Sequence, residues 1–280
     1  MSVAPDLWRI ERPDAKAAPL IVNVPHAGTY VPSLIAETLT PAGLQVPDTD
    51  WHVDKLYDFA PKMGATLMVA THSRIVVDLN RNPTGDALYA GASNTEICPT
   101  ATFGNEPIYR TGMVPDDATI ASRVEQYWRP YQCQLSVEIA RIKAVHGYCI
   151  LLDAHSIISE APRFFEGRLP DLNLGTADGR SCEVSLAHIA CEVLTHADGF
   201  TSVHNGRFKG GYITRHYGDP ASQIHALQLE MAQSCYMDEA VPARYDASRA
   251  AALKMVLKTL VERLLIWGPA LGAIVKKIGS

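Results

Sequence analysis

The sequence predicts an α/β fold in which helices cover both faces of a mixed, mostly parallel central sheet. Three short apolar runs, PLIVNVP (19–25), ATLMVA (65–70) and YCILLDAHS (148–156), are separated by segments of helical period. Continuous rather than alternating apolar residues belong to strands buried on both faces, as parallel strands are. Polar residues capable of chemistry appear just past several of these runs, where ligands bind in sheets of this kind. There is no internal repeat, low-complexity tract or linker-like shift in composition, so residues 1–280 read as one domain.

Residues 19–25 form a buried strand ended by Pro25. The following DWHVDKLYDFAPKMG (50–64) reads as a helix with Val53, Leu56, Tyr57 and Ala60 on one face and Gly64 at its C-cap. ATLMVA and RIVVDL (74–79) read as two more strands. Residues 82–114, rich in Gly, Pro, Asn and Thr, form a long functional loop. Helical period returns over 116–145, with a break near Pro130. YCILLDAHS is the clearest central strand. Ser181 caps a helix running to His196. HALQLEM (225–231) alternates, with Ala226, Gln228 and Glu230 on one face and Leu227, Leu229 and Met231 on the other. Ala247–Leu265 is a final amphipathic helix.

The chain has 280 residues, 25 Lys+Arg against 30 Asp+Glu, and a net charge of -5. That mild acidity argues against nucleic acid as the main partner, which favours a basic face. The most apolar tract, 264–275, holds Gly268, Pro269 and Gly272 and falls short of the ~20 residues that span a bilayer. The N-terminus has early acids and no apolar core of a signal peptide. Six cysteines are scattered without a CxxC pair, which points to reduced thiols and a cytoplasmic location.

Three polar clusters follow the strands: His26, then Asn80 and Arg81, then Asp153, His155 and Ser156. Parallel neighbours would bring His26 and His155 to one sheet edge. Two imidazoles, a carboxylate and one open position make up a common catalytic zinc set. The carboxylate is Asp54, in the first turn after the first strand, or its competitor Asp50; an acid in a first turn also has a plain role against the helix dipole. A lone histidine is more often structural, and most of the remaining eight read that way. Asp153 reads as a turn residue or as an acid behind the ligands. Arg74 and Arg81 offer planar forks for an anion, with Asn80 beside them. Glu230, in a half-apolar setting, suits a general base with a raised pKa. The Gly-rich stretch 205–220 carries Lys209 and Arg215 and could close over an anion. It matches neither phosphate-binding glycine pattern. No GxSxG elbow occurs, which removes a serine α/β-hydrolase, and no cysteine sits in a nucleophile motif.

In this order, VPHAGTYVP (24–32), DTDWHVDKLYDFA (48–60), SRIVVDLNRNP (73–83), LLDAHS (151–156), FKGGYITRHYG (208–218) and IHALQLEMAQSCYMDE (224–239) resemble the N-formylglutamate amidohydrolase (deformylase) family. The stretches span roughly 15–265, and the joint pattern is specific although each piece alone is not. The family is distantly similar to zinc carboxypeptidases and aspartoacylases, in which a Glu follows the first His closely. Here Thr29 stands in that place. The resemblance implies a zinc-carboxypeptidase-like α/β fold. It further implies hydrolysis of a linear amide, N-formyl-L-glutamate, to formate and glutamate in histidine catabolism. It implies Zn²⁺ or another divalent metal on His26, Asp54 and His155, and Glu230 as base. Arg74 would stabilise the oxyanion, while Asn80, Arg81 and Arg215 would hold the two substrate carboxylates. Two alternatives remain: another N-acyl acidic amino acid or short peptide as substrate, or a non-catalytic binding protein for acidic metabolites.

Overall fold

The computed structural model describes residues 4–13, 17–84, 95–240 and 243–268. Residues 85–94 of the expected loop, the last part of the apolar C-terminal tract and the first three residues lie outside these. Seven strands form the central sheet: β1 (Trp8–Glu11), β2 (Leu20–Val24), β3 (Thr66–Ala70), β4 (Cys149–Ile157), β5 (Leu172–Gly175), β6 (Ser202–His204) and β7 (Ile224–Ala232). Their order is β1-β3-β2-β4-β7-β5-β6. β3, β2, β4 and β7 run parallel. β1 and β5 pair antiparallel with β3 and β7, so the sheet is mixed and mostly parallel, as expected.

Every residue of β2, β3 and β4 is buried, which explains why their sequences read as continuous apolar runs. One face packs Leu20, Val22, Leu152 and Leu227 under the helices Val184–Thr195 and Ala247–Ile266. The other packs Ile21, Met68, Leu151 and Ala226 under the helix Arg129–His146. The break expected near Pro130 is a π-helical turn at Val124–Trp128, between an α-helix at Asp117–Arg123 and the one from Arg129. Proline removes a backbone donor and crowds the carbonyl four residues earlier, and the widened turn absorbs both effects.

Three expectations are corrected. RIVVDL is not a strand, although Ile75, Val76 and Val77 are buried. Side chains supply the partners that a ladder would have: Tyr109 Oη donates to Ile75 O, Arg123 to Val76 O, Gln132 to Leu79 O and Trp128 to Arg81 O. The long helix over 50–64 is a single turn, Val53–Leu56, and a 3₁₀ turn, Pro61–Met63, with Gly64 left-handed at φ 94 as its cap. Ser181 caps no helix; its hydroxyl donates to Ala226 O, and the helix begins after Glu183. The edge strand β1 and the pair β5 and β6 were not foreseen. They have only three or four residues of pattern each, too little to separate from loop.

Candidate active site

The carboxyl ends of β2, β4 and β7 lie side by side. His26 follows β2 by two residues, while His155 and Glu230 are register partners on β4 and β7. The two imidazole rings stand 4.9 Å apart, centroid to centroid. Among the described residues, His26, Asp50 and His155 form a group whose potential ligand atoms all lie within 4.8 Å of one another. All three are buried.

Each ring is held from behind. His26 Nε2 donates to Asp78 Oδ1 at 2.9 Å, and His155 Nε2 to Asp153 Oδ2 at 2.9 Å. This turns both Nδ1 atoms toward Asp50 at the centre. His26 Nδ1 and Asp50 Oδ1 are buried without a hydrogen-bond partner, and His155 Nδ1 lies 3.1 Å from Asp50 Oδ2. Two imidazoles backed by carboxylates and facing a third carboxylate make a donor set that fits a divalent cation. The support reaches far into the core. Tyr131 Oη donates to Asn23 Oδ1 at 2.7 Å, and Asn23 Nδ2 donates to Asp153 Oδ1 at 2.8 Å. Asn80 Nδ2 also points at Asp153 Oδ2, at 3.4 Å.

Asp50, the competitor, occupies the place expected of Asp54. Its backbone N–H donates to His26 O, and its Oδ2 accepts from Ser156 N–H, pinning the carboxylate between β2 and β4. His52 then adopts a left-handed φ of 62, and the next turn buries Val53 and Leu56 in the core. A helical turn that directs those two inward directs Asp54 outward. Asp54 pairs with Arg9 of β1 at 2.6 Å and is not part of the group formed by His26, Asp50 and His155.

Burial dominates the electrostatics. It disfavours a charge on His26, Arg74 adds to this, and Asp78 and Asp50 only partly offset them, so the ring titrates below the ordinary range. Burial opposes charge on His155 as well, but Asp153 and Asp50 outweigh it and raise its pKa well above normal. The same buried carboxylates that favour a proton there favour a cation. Burial pushes Glu230 up to about 8, against the pull of His155 and Arg74. Arg74 is buried, donates to Asp78 Oδ2 at 2.6 Å and stacks over Phe103 at 5.0 Å.

A cavity opens in front of the group. Its lining includes His26, Arg74, Asn80, Arg81, His155 and Glu230, so six of the expected site residues meet there. Arg81 is steered by Nε donating to Thr95 Oγ1 at 3.0 Å. Arg215 does not line this cavity; its Nε donates to Gly210 O at 2.8 Å, and it borders a separate hollow with Arg180 and Ser181. Arg207, from the same Gly-rich stretch, does line it, as do Phe103, Phe164 and Phe208. Sequence reasoning missed Arg207. The signal available was its place in that stretch, two residues before the chosen Lys209.

Fold and site together define the class: a hydrolase of α/β fold with a buried histidine–carboxylate group whose donor set fits a divalent cation and a buried glutamate beside it. Residues 18–237 match the family model of the N-formylglutamate amidohydrolases. The chain belongs to that family. It is 46% identical over 250 residues to an N-formylglutamate deformylase of Pseudomonas putida, covering 89% of this chain and 93% of the relative. Its identity to the Pseudomonas aeruginosa enzyme of the same name is also 46%, covering 89% and 94%. Among solved structures, it superposes on the N-formylglutamate amidohydrolase of Ralstonia eutropha with a TM-score of 0.75 and 25% identity, covering 96% of this chain and 98% of that one. A gene product of Agrobacterium tumefaciens shares the fold, with a TM-score of 0.68 at 19% identity. Among the described residues no helix is long and apolar enough to cross a membrane.

Proposed function

We propose that this protein hydrolyses N-formyl-L-glutamate to formate and L-glutamate, with the whole chain as one catalytic unit. The observation that carries the proposal is the cavity where His26, His155 and Glu230 meet, with Asp50 grouped against the two histidines, in a chain so similar to two N-formylglutamate deformylases. His26, Asp50 and His155 would hold a divalent ion, zinc by its fit to two imidazoles and a carboxylate, and that ion would supply Lewis acidity and lower the pKa of a bound water.

The chain's own groups do the rest. Glu230, buried and raised to about 8, takes a proton from the attacking water. It returns that proton to the amide nitrogen as the C–N bond breaks, so formate and the free amine leave together. Arg74 faces the cavity as a preorganised cation and stabilises the oxyanion that forms on the formyl carbon. A single donor in this role is typically worth ~3 kcal/mol. Asn80 and Arg81 take one substrate carboxylate, and Arg207 takes the other in place of Arg215. Asp78 and Asp153 keep the two imidazoles in the tautomer that presents Nδ1. The partner is thus a small anion, and the free cysteines support work in the reducing cytoplasm. The assignment also agrees with a role in histidine catabolism.

The test is formate release from N-formyl-L-glutamate, with and without chelator, alongside elemental analysis of the purified protein. One divalent ion per chain and chelator-sensitive release are expected. Full activity in metal-stripped protein would overturn the metal role. Faster turnover of N-acetylglutamate or of a peptide with an acidic terminus would move the substrate assignment, and ligand binding without formate release would make the protein a binding module.

A further inference from the structure

Gln228 stands two residues before Glu230 on β7, so both side chains leave the same face of the strand. Its amide is bonded in two directions. Nε2 donates to Glu230 Oε2 at 3.0 Å, and Oε1 accepts from Gly211 N–H at 2.7 Å. The backbone donor fixes which end of the amide faces Glu230, since a flipped amide would set two donors against each other.

Gly211 ends the segment that brings Arg207 and Phe208 into the cavity wall. Arg207 is oriented there by Nε donating to Phe164 O at 2.7 Å. The end of the segment is tightly fitted. A Cβ at Gly211 would lie 2.3 Å from Asn80 Nδ2, and one at Gly175 would lie 2.5 Å from Gly210 N. With no slack at Gly210 and Gly211, a displacement of the segment is felt at Gln228 and hence at Glu230.

We infer that Gln228 is a positioning residue: it aims the Glu230 carboxylate and ties it to the segment carrying Arg207, so that substrate contact at Arg207 and the orientation of the base are linked. This rests on the reading of Glu230 as general base. Gln228 also borders the cavity, so a plain substrate contact is the rival explanation, and it would appear in KM rather than kcat.

The experiment measures formate release from N-formyl-L-glutamate by metal-loaded parent, Q228M, Q228E, R207M and the R207M/Q228M double variant, with metal content checked in each. Q228M keeps the length and loses both bonds. Q228E keeps the acceptor for Gly211 N–H and loses the donor to Glu230. A misaimed catalytic group typically loses ~10²-fold, so kcat is expected to fall by about that much in both, with KM within about twofold. R207M is expected to raise KM. The double variant is expected to fall short of the product of the single losses by about fivefold or more, as linked sites do. A kcat within about twofold of parent in both Gln228 variants, or a loss confined to KM, would overturn the positioning role. Multiplicative losses in the double variant would overturn the link to Arg207. If Q228M does not fold, Q228E decides the first point, and R207M with R207M/Q228E the second. An inactive parent would refute the functional reading itself, whereas an active parent indifferent to Gln228 would refute only this inference.

Discussion

The two faces of the central sheet solve different problems. On one face, Leu20, Val22, Val24, Leu152, Ala154, Leu227 and Leu229 meet two helices in an apolar core. The other face begins in the same way with Ile21, Leu151 and Ala226, but turns polar toward the carboxyl edge, at Asn23, Asp153, His155, Gln228 and Glu230, all buried. The change happens within single strands: Leu152 points into the apolar core, while its neighbour Asp153 accepts from Asn23 and His155. Burying polar groups is unfavourable unless each finds a partner. The polar face therefore contributes to orienting the ring nitrogens of the histidines, and the apolar face to stability. Mutations on the two faces should accordingly separate activity from stability.

The largest separation is expected at Glu230. Glu230→Gln keeps the shape and removes the proposed base, so kcat should drop by ~10²–10⁴-fold, the usual worth of general acid–base catalysis. Substrate binding, measured by calorimetry, and metal content should stay near parental. Full activity in this variant would take the base role from Glu230.

Asp50 and Asp54 form the next pair. Asp50→Asn should weaken metal affinity well beyond the ~10–100-fold typical of an outer partner, with activity falling alongside. Asp54→Asn breaks only a half-exposed pair with Arg9, worth ~1 kcal/mol or less, and should keep parental metal content. Metal titration of both variants checks this, and the reverse ranking would restore Asp54 as the ligand. On the apolar face, Leu257→Ala empties a fully buried position in the last helix. It should lose ~2–5 kcal/mol of stability in denaturant unfolding, while folded, metal-loaded protein retains parental kcat.

Much of this arrangement was legible in the sequence, for physical reasons that differ by residue. His26 and His155 were visible because strands buried on both faces leave an unbroken apolar signature, and the first polar residues beyond it fall at the ligand edge. Glu230 was visible through the strict alternation of β7. Asp50 lost to Asp54 because its placement depends on a hydrogen bond to His26 O and a left-handed His52, neither of which leaves a periodic trace. RIVVDL read as a strand because burial demands apolar residues whether or not a ladder forms. Its carbonyls are met by side chains from residues 109–132, and such long-range partners cannot be read from a local window. Arg207 was passed over for the same reason: which arginine of a Gly-rich stretch faces the cavity depends on where Phe164 O sits.

The smallest expected effect probes the far end of the polar face. Tyr131→Phe removes one hydroxyl, the donor to Asn23 Oδ1, and leaves that oxygen buried with its donor gone. The loss in stability should be ~1 kcal/mol, the cost of a single buried hydrogen bond. Asn23 Nδ2 still donates to Asp153, and Asp153 still holds His155 Nε2, so metal affinity should fall by less than the ~10-fold lower bound for a direct outer partner. Asn23→Leu cuts the bond to Asp153 itself and should pass that bound. A graded series, in which affinity declines more steeply the nearer the substitution lies to His155, is what an orienting chain requires. Equal losses at Tyr131 and Asn23, tracking stability alone, would mean that this polar string is only core packing and that the two faces of the sheet do the same job.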